Sequence, residues 1–146
     1  MGDDSAIGGL AVKASRTYKL RLSDAGIDLF LHCHCRVAHL ARDFIPYGVT
    51  LSVALAILET LEACDVAAEL DTQRCRHSIG DRVRFVGSSV ALVETVRRIA
   101  DKLVQSGEAS APPRSGVLYA AALGSLAAAE DRQIVEAVRQ IEGARL

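Results

Sequence analysis

Two short stretches decide how this chain is read: Thr17-Tyr18-Lys19-Leu20-Arg21-Leu22, and later Asp81-Arg82-Val83-Arg84-Phe85-Val86. Both alternate basic and apolar side chains, the two-residue period of a β-strand, which predicts Lys19 and Arg21, or Arg82 and Arg84, on one cationic face and the apolar residues on the other. Each is followed by an amphipathic helical stretch, a turn and a second apolar helical stretch. The chain therefore reads as strand, helix, helix, twice over.

The spacing between the copies carries this further. Lys19, Leu20, Arg21 and Leu22 recur 63 positions on as Arg82, Val83, Arg84 and Phe85, and the same shift takes Ile27 to Val90, Phe30 to Val93, Cys33 to Val96 and Leu40 to Leu103. For the second helices the shift is 68, from Gly48 to Gly116 and from Leu58 to Leu126, and the five extra residues fall in the Pro-Pro linker between Ser106 and Gly116. An insertion confined to a loop is what an internal duplication predicts. The expected fold is mainly α, a tandem strand-helix-helix repeat with pseudo-twofold symmetry whose two strands pair as a small antiparallel ribbon. Neither half could bury its apolar face alone.

Working outward, residues 1–16 contain Gly2, Gly8 and Gly9 and show no period, and are expected to form an N-terminal arm. The rest, 17–146, is expected to be a single domain with halves 17–70 and 81–146. The first helix is expected from about Asp24 to Phe44, ended by Pro46 and Gly48. A second follows from Val49 or Thr50 to as far as Leu70. The polar link Asp71 to Gly80 reads as a loop. In the second half, Val90, Val93, Val96, Ala100, Leu103 and Val104 are expected to line one helix, Val117 to Ala129 a second, and Ile134, Val135, Val138 and Ile141 an amphipathic extension.

Composition bounds the function. At 146 residues and 50% hydrophobic, the chain can bury a core of its own. Its most apolar stretch, Val49 to Leu58, is well short of the roughly 20 residues of a membrane span. The start, Met1-Gly2-Asp3-Asp4-Ser5, is acidic and unlike a signal peptide, so a soluble cytoplasmic protein with reduced cysteines is expected. A net charge of −1 excludes a broadly cationic coat, so nucleic acid would have to meet a local patch.

With its basic strands and paired helices, the chain resembles the ribbon-helix-helix family of DNA-binding proteins, in the form that carries both halves of the usual dimer in one polypeptide. The resemblance covers roughly 17–62 and 81–130. It implies a ribbon that enters the major groove, read here by Thr17, Lys19 and Arg21 from one strand and Arg82 and Arg84 from the other. It also implies phosphate contacts at the start of each second helix, at Val49, Thr50 and Leu51 and at Ser115, Gly116 and Val117. The partner would be double-stranded DNA, with a second copy or another protein alongside, no cofactor, no enzymatic activity and no membrane. The first helices are several residues longer than is usual in that family.

Two other functions have a basis in the residues. In His32-Cys33-His34-Cys35-Arg36-Val37-Ala38-His39, the residues His32, Cys35 and His39 share a helix side and offer imidazole and thiolate to a borderline metal, with Cys75 and His77 as further ligands of a small metal sensor. Their spacing matches no familiar zinc signature. The positions 63 later are Thr95, Arg98 and Lys102, which places the trio on a solvated face and Cys33, opposite Val96, in the core. A catalytic Cys–His pair has no third orienting group in the sequence. The remaining alternative is a helical interaction module whose apolar helices, Val49 to Leu61 and Val117 to Ala129, pair with a partner chain.

Overall fold

The structure is a computed structural model that describes residues 16–145; apart from Arg16, the expected N-terminal arm lies outside the described residues. The order of elements is β1 (Arg16–Leu22), α1 (Asp24–Ala41), α2 (Tyr47–Glu59), α3 (Ala63–Leu70), α4 (Gln73–Ser78), β2 (Arg82–Ser88), α5 (Val90–Gln105), α6 (Ser115–Ala128) and α7 (Asp131–Arg145). The described residues are mainly helical, with one small antiparallel sheet in which β1 pairs with β2.

Two apolar helices make the centre. In α6 every residue from Leu118 to Leu126 is buried, and in α2 so are Thr50, Leu51, Val53, Ala54, Leu55, Ile57 and Leu58. Helices apolar on all sides belong inside a protein, and α2 and α6 pack chiefly against each other. The other helices surround them, each with a single buried stripe: Phe30, Cys33 and Val37 from α1, Leu92, Ile99 and Leu103 from α5, and Ile134, Ala137 and Val138 from α7. The ribbon adds Leu20, Leu22 and Val86 to the same core.

Local chemistry starts and stops the helices. Ser23 Oγ accepts from Gly26 N at 3.0 Å and Ser89 Oγ accepts from Leu92 N at 3.1 Å, so α1 and α5 each begin one residue after a strand with a serine cap. α1 stops at Ala41 because Arg42 turns left-handed at φ 59°, three residues before the expected end. The second helix does not run to Leu70: α2 closes at Thr60, whose Oγ1 donates to Ile57 O at 2.6 Å, and α3 starts afresh. The expected loop before the second strand holds α4, capped by Thr72 Oγ1 accepting from Cys75 N at 3.1 Å.

The ribbon itself requires a correction. Directly opposed residues of a sheet share a face. The register sets Leu20 opposite Arg84 and Leu22 opposite Arg82, so both arginines lie on the side of the buried leucines, while Lys19 lies opposite Phe85 and Arg21 opposite Val83. A shift of 63 would have put Arg82 and Arg84 beside Lys19 and Arg21. The strand's phase is fixed instead by the helix that follows, because Ser88 must hand the chain to the Ser89 cap just as Leu22 hands it to Ser23. Measured between caps, the spacing is 66. In α5, accordingly, Leu92 and Ile99 are buried, whereas Val90 is 57% and Val93 42% exposed, against expectation.

Candidate nucleic-acid interface

The outward face of the ribbon carries Thr17, Lys19 and Arg21 from β1 and Val83, Phe85 and Gly87 from β2. All are exposed except Val83, which is half-buried. Neither Lys19 nor Arg21 forms an ion pair with a described residue. Arg82 and Arg84 are also exposed, but on the inner side: Arg82 Nε meets Asp24 Oδ1 at 2.5 Å, and Arg84 Nη1 donates to Val83 O at 2.8 Å. Arg82 is thus held to the start of α1.

The inner face seats the ribbon on the starts of the two central helices. Tyr18 packs its ring on Tyr119 of α6 with centroids 4.6 Å apart, and its hydroxyl lies 3.1 Å from Ser115 Oγ in the first turn of α6. At the other strand, Gly48 in the first turn of α2 lies so close to Gly87 that a Cβ would collide with the Gly87 carbonyl. Neither helix start has a side-chain cap: Pro46 and Arg114 occupy those positions without bonding a first-turn N–H. Backbone donors therefore flank the ribbon on both sides.

Of the two side chains expected to assist there, Ser115 is half-buried at the start of α6. Thr50 is not available. It is fully buried, and its Oγ1 lies 2.7 Å from His34 Nδ1. His34 in turn packs against Tyr47 and Phe30, and burial lowers its pKa below the usual imidazole value.

His32, Cys35 and His39 lie on the exposed side of α1, and Cys33 is fully buried. Burial pushes the Cys33 thiol up to about 11, against the weaker pull of Arg36 and Arg74. Cys75 is not in a loop: it sits buried in α4 with Sγ 3.8 Å from Val117 O, and burial raises its pKa too. His77, two residues on, is exposed. Among the described residues no group of three or more His, Cys, Asp or Glu side chains is placed to hold a metal. The helices offered by the interaction-module alternative are spent on each other in the core.

Two cations bind the far ends of the central helices. Arg36 of α1 donates to Leu126 O at 3.2 Å and Ala129 O at 2.6 Å at the end of α6, and pairs with Asp131 of α7 at 2.7 Å. Lys102 of α5 donates to Glu59 O at 3.3 Å and Leu61 O at 2.6 Å at the end of α2.

Sequence patterning missed Val83 and Phe85 as outward residues. The signal that finds them is the pair of serines: counted back from Ser23 and Ser89, Lys19 and Phe85 occupy the same place. No family model, curated protein or solved structure matches this chain. No helix of the described residues is long and apolar enough to cross a membrane.

Proposed function

We propose that this protein binds double-stranded DNA at a preferred sequence by laying the outward face of its ribbon in the major groove, as a transcriptional regulator or an accessory factor in DNA processing. One observation carries the proposal: Thr17, Lys19 and Arg21 stand in a row on a two-stranded ribbon, unpaired with any described acid, between two helix starts whose first N–H groups, at Tyr47 and Gly48 and at Ser115 and Gly116, have no side-chain cap, while those of Val49 and Val117 are already bonded to Pro46 O and Arg114 O. A major groove admits a two-stranded ribbon, arginine and lysine match the paired acceptors of guanine, and helix starts suit phosphate. Arg82 and Arg84, on the inner side, contact phosphates at most.

The proposed duplication is supported by positions rather than by a uniform shift. Ser23 and Ser89 cap equivalent helices, 66 apart; Arg36 and Lys102, also 66 apart, bond carbonyls that are themselves 68 apart, Leu61 and Ala129. One chain would then supply both halves of a ribbon that separate subunits supply elsewhere.

Selection of bound duplexes from a random pool, followed by affinity measurements across a salt series, tests this. The selected duplex is expected to outcompete scrambled DNA, with affinity falling as salt rises because phosphate contacts release counterions. Arg21→Ala is expected to remove about 1–3 kcal/mol of preference at one base pair, whereas Arg84→Ala weakens all sequences alike. A parent protein that binds no duplex even at low salt refutes the proposal.

A further inference from the structure

The two strands of the ribbon present unlike chemistry outward. Three opposed pairs make the face: Thr17 with Gly87, Lys19 with Phe85, and Arg21 with Val83. On β1 the row is a hydroxyl, an ammonium and a guanidinium. On β2 it is a glycine, a phenyl ring 65% exposed and an isopropyl group. The caps 66 apart make Lys19 and Phe85 counterparts as well as neighbours, with Thr17 matched to Val83 and Arg21 to Gly87. A ribbon assembled from two identical subunits would repeat one row in both halves; this one does not.

Phe85 is the largest apolar side chain on that face, and no aromatic ring of the described residues packs on it. A protein surface that covered the ring would also have to cover Lys19 directly opposite, at a Cβ separation of about 5 Å, and strip water from its ammonium group. The major groove resolves the conflict. It offers guanine acceptors and phosphates to the cations and the thymine 5-methyl group to an apolar side chain within the same few base pairs.

We infer that the ribbon reads a non-palindromic DNA site, in which Lys19 and Arg21 contact guanine acceptors or phosphates on the β1 side of the groove and Phe85, with Val83, packs against thymine methyl groups on the β2 side. The inference rests on the proposed DNA binding and adds to it the shape of the site and two residues that set its sequence.

The test uses the intact protein and a selected duplex in which each thymine in turn is replaced by deoxyuridine, a change that removes only the methyl group. Losing one buried methyl is expected to weaken binding about fourfold at one or two positions, with no equal effect at the positions related to them by the dyad of the site. Phe85→Ala should erase that thymine preference, and Arg21→Ala should leave it in place. A palindromic selected site, a specific site with no sensitivity to deoxyuridine, or a Phe85→Ala protein that still distinguishes thymine from uracil would each overturn the inference while leaving DNA binding intact. A parent that binds no duplex ends both. Sedimentation of the free proteins covers the remaining occupant: a parent dimer that Phe85→Ala converts to monomer would make the ring a contact between copies and overturn the inference.

Discussion

Replacing Arg36 with methionine keeps much of the apolar stem and removes the guanidinium that ties α1 to α6 and α7. Its nitrogens satisfy the carbonyls of Leu126, Ala127 and Ala129, the acceptors that a helix end leaves without partners, and reach Asp131 Oδ1. The Asp131 side chain is 68% exposed, so the ion pair itself contributes about 0–1 kcal/mol. The carbonyl bonds matter more, because the charged donor is only 25% exposed and a charge-assisted bond is worth about 1.5–3 kcal/mol, not additive over neighbouring acceptors. A loss of about 2–3 kcal/mol follows, or a fall in Tm of about 5–10 °C for a chain of this size. Lys102→Met, which frees two carbonyls, should cost about 1–2 kcal/mol. Urea unfolding and calorimetry measure both. Ten residues of helix, about 15 Å, separate Gly116 beside the ribbon from Leu126, so the proposed DNA affinity should not change below the melting range. An Arg36→Met protein within about 0.5 kcal/mol of the parent would refute the capping role.

Ser125→Ala should stabilise by about 1 kcal/mol, since the buried Oγ has no hydrogen-bond partner among the described residues and alanine favours helix; a lower urea midpoint would contradict this. Gly48→Ala should cost about 1–3 kcal/mol through its collision with the Gly87 backbone, whereas Gly143→Ala, with open space around it on α7, should be neutral or stabilising in the same assay. In native protein a thiol reagent should titrate Cys35 and Cys64 quickly and Cys33 and Cys75 only on unfolding; rapid reaction of all four would mean that α1 and α4 open easily. Because burial lowers the folded pKa of His34, the unfolded chain takes up its proton first as pH falls. The stability due to neutral His34 is therefore complete above the ordinary imidazole value near 6.5, declines below it, and levels off under the folded pKa. Urea midpoints at several pH values should decline less steeply in His34→Gln; parallel curves would refute the assignment.

β1 and α1 were legible because each has one periodic face, the alternation in Tyr18 to Leu22 and the stripe of Phe30, Cys33 and Val37, and α2 and α6 were legible because their apolar runs are continuous. α4 was not, since Gln73-Arg74-Cys75-Arg76-His77-Ser78 has no apolar period and is helical through its Thr72 cap and its packing on α6. The break between α2 and α3 contains neither Pro nor Gly. It is held by Lys102 from a distant helix, which no local pattern announces. At the ribbon, the likeness of Arg82 and Arg84 to Lys19 and Arg21 pointed to the wrong phase. An alternation fixes which residues share a face, but which face turns inward depends on the element that follows. Thr50 illustrates a similar loss: the expected helix start at Val49 or Thr50 would suit an anion, but α2 begins earlier, at Tyr47, and the packed structure puts His34 on the Thr50 hydroxyl.

The strands of the ribbon are distant in the chain, the nearest opposed pair, Leu22 and Arg82, being 60 positions apart. Closing so long a loop precedes any reward from strand pairing, so the ribbon belongs among the late events of folding. During synthesis the β1 segment leaves the ribosome well before its partner exists, with its backbone groups unpaired. Alternating lysine and arginine are the side chains that keep such a segment from pairing with the wrong chain. Lys19 and Arg21 would thus guard the nascent chain whatever they contact in the finished one, and an apolar exchange at either position should appear first as aggregation during expression.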